Sequence, residues 1–142
     1  MKIKQVSVFL ENKSGRLNEV ATVLGDAGVN ISAFTVADTS DFGVLRLIVN
    51  NPDKACQVLK EKQFSVRTTD VVLVKSSNTP GALARMLNIL SSEGIFIEYL
   101  YAFSMNDNMA VIVIRPSDIE KCIAILTRHE DELTGCNDHF YL

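Results

Sequence analysis

The sequence predicts an α+β chain made of two tandem copies of one β-α-β-β-α-β unit. Three observations carry this prediction. The stretch Asn12-Lys13-Ser14-Gly15-Arg16-Leu17 returns as Asn78-Thr79-Pro80-Gly81-Ala82-Leu83, with Gly15 and Gly81 66 positions apart. Gly28-Val29-Asn30-Ile31 returns as Gly94-Ile95-Phe96-Ile97 at the same offset of 66. Each loop follows a β-branched apolar run and opens an apolar stripe of helical spacing. The copies divide the chain at residues 1–69 and 70–142. Domains this small bury a modest share of their surface, so the two are expected to pack side by side.

The elements follow in order. Residues 3–10 alternate, with Val6, Val8 and Leu10 on the apolar face, and read as a strand. Leu17, Val20, Ala21 and Leu24 then fall at i, i+3, i+4 and i+7, one face of a helix. Gly28 stands where a helix C′ residue belongs. Residues 29–37 are a second strand, Thr39 to Gly43 is turn chemistry, and Val44–Val49 is a third strand. Asn50-Asn51-Pro52-Asp53 starts a second helix with Val58 and Leu59 inward. Phe64–Thr68 is the fourth strand, and it runs almost directly into the next strand, Val71–Val74.

The second copy repeats the series. Leu83, Met86, Leu87 and Leu90 match the first helical stripe. Ile95–Ser104 is a strand, Met105 to Asn108 a turn, and Met109–Arg115 another strand. Pro52 and Pro116, taken as ending the two third strands, stand 64 apart, which makes the second hairpin two residues shorter. Ile119, Cys122, Ile123 and Leu126 line the last helix, and His139 to Leu142 offers a final strand. The series is the split-βαβ or ferredoxin-like arrangement. Its first and second strands should be parallel, with the third between them.

Composition narrows the function. The apolar share of 47% and charged share of 22% suit a soluble globular chain. No apolar run approaches the roughly 20 residues of a membrane helix. The start enters a strand pattern at once, so no signal peptide and a cytoplasmic address are expected. Residues 1–70 carry a net +1 and residues 71–142 a net −4. Neither half has the basic stripe that nucleic acid requires. Three cysteines (Cys56, Cys122 and Cys136) with no Cys-x-x-Cys suggest neither disulfides nor zinc. His129, His139 and the run Glu130-Asp131-Glu132 read as solvated surface, and no nucleophile stands beside a base. No catalytic residue, metal or cofactor is expected.

The chemistry points to the strand-to-helix loops. The first N–H groups of a helix have no internal partner, and the macrodipole adds partial positive charge there. A carboxylate suits that place. Gly15 and Gly81 open the backbone to a ligand, and Pro80 suits the first helical turn. Asn12 and Asn78 could donate to a carboxylate and accept from an ammonium, the two groups of a free amino acid. Asn near a helix start is also a common cap, and Gly a common turn residue, so local chemistry leaves both readings open. Tyr99, Tyr101 and Phe103 share a face with Ile97 at period 2, as core packing or as an interdomain or dimer seam.

The pattern polar-x-Pro-Gly-x-Leu, an apolar helix, then Gly-x-Asn-Ile resembles the ACT domain. The second loop matches in full, and the first has Ser14 in the Pro place. Gly28-Val29-Asn30-Ile31 matches the second element, while the second copy puts Phe96 in the Asn place. The resemblance covers nearly the whole chain. It implies a regulatory module that binds a free L-amino acid where the loop of one domain meets a neighbouring domain. It assigns ligand contact to Asn12, Ser14, Gly15, Arg16, Leu17, Asn30 and Ile31, and to Asn78, Pro80, Gly81, Ala82 and Leu83. It also implies a partner enzyme of amino-acid metabolism, while a homodimer is expected because two such small domains leave sheet and helix edges to cover. Ser14 and Phe96 favour a second reading, an assembly subunit whose ligand site has decayed. A small enzyme such as an acylphosphatase is disfavoured, because no phosphate-cradling loop with its Arg and Asn is present.

Overall fold

A computed structural model describes residues 1–11, 13–38, 41–106 and 108–135. Asn12, the turn residues Thr39, Ser40 and Asp107, Cys136, His139 and the expected strand at 139–142 lie outside the described residues. The chain forms two compact units, one of Lys4–Thr69 and one of Asp70–Leu142 with Met1–Ile3. No helix among the described residues is long and apolar enough to cross a membrane.

The first unit contains β1 (Lys2–Glu11), α1 (Arg16–Asp26), β2 (Ile31–Asp38), β3 (Phe42–Val49), α2 (Pro52–Glu61) and the start of β4 (Ser65–Ser77). Its strands lie in the order β2-β3-β1-β4. β3 runs antiparallel to both β1 and β2, so those two are parallel with the third strand between them, as the right-handed crossover requires. Val6, Val8 and Leu10 of β1 face the helices together with Leu45, Leu47 and Val49 of β3. Val20 and Leu24 of α1 and Ala55 and Leu59 of α2 close this core from above.

The helical stripe is rotated from the one expected. Val20, Val23, Leu24 and Ala27 face the core, while Leu17 is 48% exposed and Ala21 is exposed. Both sets fit the i, i+3, i+4, i+7 spacing. The set that faces inward is the one that starts one turn later, beyond the rim of the sheet. In the second unit Met86 and Leu90 are buried, Leu87 is half-buried and Leu83 is 45% exposed.

The second unit continues β4 and adds α3 (Ala82–Ser92), β5 (Ile97–Asn106), β6 (Met109–Pro116), α4 (Ile119–Arg128) and α5 (Glu130–Thr134). β6 lies antiparallel between β4 and β5. The two strands expected around Thr69-Asp70 are one strand, because no turn residue interrupts Ser65–Ser77. The amine of Met1 donates to the Leu73 carbonyl at 2.9 Å, and the Leu73 N–H donates to the Met1 carbonyl at 2.8 Å. This unit has its own core of Val72, Met86, Leu90, Ile112, Ile114, Cys122 and Ile125.

Two expectations about the second copy need correction. A bulge between Ile97 and Tyr99 puts Ile97 on the helix side, packed against that core, and turns Tyr99, Tyr101 and Phe103 to the other face. There they pair with Arg115, Val113 and Val111. The prolines are also not equivalent. Pro52 begins α2, capped by Asn51, whereas Pro116 ends β6 ahead of the cap Asp118. Ile31 pairs with Val49 and Ile97 with Pro116, so the second hairpin is longer than the first by one residue.

Candidate functional site

Both strand-to-helix loops are built by one turn. In Lys13-Ser14-Gly15-Arg16 the Arg16 N–H reaches the Lys13 carbonyl at 3.4 Å, and in Thr79-Pro80-Gly81-Ala82 the Ala82 N–H reaches the Thr79 carbonyl at 3.1 Å. Gly15 has φ 87° and ψ −11°, Gly81 φ 85° and ψ −10°. These are the third-residue angles of a type II turn, with Ser14 and Pro80 at the second position. Pro80 therefore precedes the helix rather than opening it. A Cβ on either glycine would meet nothing within 4 Å, so the positive φ, not crowding, is what calls for glycine.

The turns deliver two helix N-termini without side-chain caps among the described residues. The first helical bonds run from the Glu19 N–H to the Gly15 carbonyl at 2.9 Å and from the Arg85 N–H to the Gly81 carbonyl at 3.0 Å. The N–H groups of Leu17 and Asn18, and of Leu83 and Ala84, thus point out of the helix ends. By contrast α2 and α4 are capped: Asn51 accepts from the Lys54 N–H at 3.1 Å, and Asp118 from the Lys121 N–H at 3.0 Å.

The two loops differ in charge. Lys13 and Arg16 stand where the second copy has Thr79 and Ala82. Both cations are paired within the unit. Lys13 meets Glu11 at 2.8 Å and holds that exposed carboxyl below its usual range. Arg16 meets Glu19 at 3.0 Å and lies 4.6 Å from the Phe64 ring centre. The Arg16 Nε is buried with no hydrogen-bond partner among the described residues. Ala82 is buried and needs no such support.

Ser14, Gly15, Arg16 and Leu17 are together at the N-terminal end of α1, and Asn78, Pro80, Gly81, Ala82 and Leu83 are together at that of α3. Asn30 and half-buried Ile31 lie past the other end of α1, whose 11 residues span about 16 Å. Asn30 and the Gly15 loop of the same unit therefore do not meet. The Asn30 side chain is exposed and makes no hydrogen bond among the described residues. Its counterpart Phe96 is 69% exposed.

Sequence reading missed two residues, Asn50 and Ser117. The Asn30 N–H donates to Asn50 Oδ1 at 3.0 Å, and the Phe96 N–H donates to Ser117 Oγ at 3.2 Å. The available signal was a short polar residue just ahead of each helix cap, Asn50 before Asn51 and Ser117 before Asp118. No group of three or more His, Cys, Asp or Glu suited to a metal occurs among the described residues.

A family model described as an ACT domain pair matches residues 1–135. The crystal structure of protein BT0572 from Bacteroides thetaiotaomicron is 53% identical, with a TM-score of 0.88, over 92% of this chain and 90% of that one. The ligand-free regulatory subunit of aspartate kinase from Thermus thermophilus is 13% identical, with a TM-score of 0.65, over 90% and 94%. E. coli aspartokinase III in complex with lysine and aspartate is 15% identical, with a TM-score of 0.56, over 93% of this chain and 32% of that one. No curated protein sequence matches the chain.

Proposed function

The chain belongs to the ACT domain family as a domain pair, and from that membership we propose that it is a regulatory module binding a free L-amino acid. The proposed domains, residues 1–69 and 70–142, divide where the two compact units do, apart from Met1–Ile3, which belong with the second unit. The observation that carries the reading is the pair of helix N-termini with no side-chain cap among the described residues, each behind a type II turn with a left-handed glycine. The ligand carboxylate accepts from the N–H groups of Leu17 and Asn18, or of Leu83 and Ala84. Its ammonium donates to the Oδ1 of an Asn carboxamide. Asn12 and Asn78 lie in the sequence beside these loops. Asn30 lies about 16 Å along α1 from its own loop, so it serves a loop of another ACT domain. The ligand is thus held between ACT domains, and a homodimer is the assembly in which both loops find a neighbour. Binding favours one domain arrangement, which a partner enzyme of amino-acid metabolism reads. The aspartate kinase regulatory subunit and the aspartokinase III complex with lysine and aspartate are the fold-level support for that partner class.

The assembly-subunit reading has one specific observation in its favour. Phe96 is 69% exposed where the first copy has an amide. Thermal unfolding with each of the twenty common L-amino acids in turn, at millimolar concentration, separates the two. A ligand at a hundred times its Kd adds about 2.7 kcal/mol, a shift of several degrees for a chain of this size. Absence of a shift with every amino acid would eliminate the sensor reading. Where one binds, Asn12→Ala should weaken it by about 1–3 kcal/mol.

A further inference from the structure

The residue ahead of the second strand is gripped in the same way in both copies. The Asn30 N–H donates to Asn50 Oδ1 at 3.0 Å, and the Asn50 N–H donates to the Asn30 carbonyl at 3.2 Å. The Phe96 N–H donates to Ser117 Oγ at 3.2 Å, and the Ser117 N–H donates to the Phe96 carbonyl at 2.8 Å. Directly after the grip the strand slips register, between Ile31 and Ala33 and between Ile97 and Tyr99. Both halves of the grip take the backbone of residue 30 or 96 and leave its side chain out. That is why an amide and a phenyl ring stand on the same frame. The duty falls instead on the side chain at 50 or 117, which must offer an acceptor oxygen.

The bulge explains why a frame is needed. A register slip frees the backbone from regular ladder geometry, and an exposed side chain there has no packing to fix its direction. A polar group that must meet a ligand in one orientation gains affinity when its backbone is fixed beforehand. We propose that Asn50 is a positioning residue of the amino-acid site. It locks the Asn30 backbone so that the carboxamide leaves the sheet edge in one direction, without itself touching the ligand. This rests on the reading that Asn30 meets the ligand.

The test uses the full chain and the L-amino acid that most raises the melting temperature of the wild type in the twenty-member panel. Its Kd is measured by calorimetry at 10 °C, well below unfolding, for Asn30→Ala, Asn50→Ala, Asn50→Ser and the double variant Asn30→Ala/Asn50→Ala. Asn50→Ala should weaken binding about ten-fold. Asn50→Ser, which copies Ser117, should stay within about three-fold of the wild type, the margin of an acceptor oxygen kept with altered reach. The double variant should bind no worse than Asn30→Ala, because a residue acting only through Asn30 has nothing left to position. Wild-type affinity in Asn50→Ala beside a weakened Asn30→Ala overturns the proposal and leaves the site reading standing. Additive losses in the double variant overturn it too, since they show Asn50 acting elsewhere. Unchanged affinity in Asn30→Ala, or no binding by any of the twenty, removes both.

Discussion

Gln63 is the one non-glycine residue with a positive φ among the described residues, at 66°. It ends α2 as Gly28 ends α1 and Gly94 ends α3. In each case the next residue's N–H reaches back to the carbonyl five positions earlier: Val29 to Leu24, Phe64 to Leu59 and Ile95 to Leu90. This is the Schellman stop, and glycine adopts its left-handed residue without strain. Gln63→Gly should raise stability by about 0.5–1 kcal/mol, read as an upward shift of the urea midpoint at constant slope. A second prediction concerns Cys122. Burial pushes its thiol up from 9.0 to about 11. The folded thiol keeps its proton where the unfolded one ionises. Its contribution is therefore whole below about pH 9 and is lost as pH rises towards 11. Melting temperatures from pH 8 to 11 should fall less steeply in Cys122→Val than in the wild type. At this scale the glycines and the Asn30/Phe96 difference were legible in the sequence, because a repeat exposes its own exceptions. The outward turn of Leu17 was not. Spacing gives a helix a stripe, but only the position of the sheet rim says which of two overlapping stripes is covered.

The four long helices fall into two kinds. α2 and α4 begin on capping side chains, and α1 and α3 begin on the glycines of type II turns. Asn51→Ala and Asp118→Ala should each cost about 1 kcal/mol, measured by denaturant unfolding. Ser14→Ala removes no cap and should stay within about 0.5 kcal/mol, as exposed loop positions do. The pair with no cap among the described residues carries the proposed ligand loops, so these helix starts coincide with the place assigned to a carboxylate. Strand order, helix order and the parallel relation of β1 and β2 were readable, since the crossover rule leaves one solution. The bulges after Ile31 and Ile97 were not, because an alternating pattern looks the same on either side of an inserted residue. Proline misled for a related reason. Pro52 and Pro116 both punctuate, yet one opens a helix and the other closes a strand.

Across the whole molecule the repeat is uneven. The two cores share no residue, yet β1 and β4 each contribute to both units. The Leu73 N–H is held by the Met1 carbonyl. Starting the chain two residues later, with methionine at position 3, removes that acceptor. The Leu73 amide should then exchange about ten-fold faster, for a local loss near 1.5 kcal/mol, while the Val6 and Val8 amides keep their wild-type rates. Hydrogen–deuterium exchange read by NMR decides it.

The double membership of β1 and β4 also orders events in time. Met1 and Leu73, paired in the native state, are 72 positions apart in sequence. During synthesis residues 1–3 leave the ribosome well ahead of their partners on β4, which are made only after the rest of the first unit. Residues 1–3 are thus among the last pieces of the two units to be used. Until Asp70 to Val74 emerge, this short segment waits as an unpaired stretch of strand, the kind of edge on which nascent chains find one another.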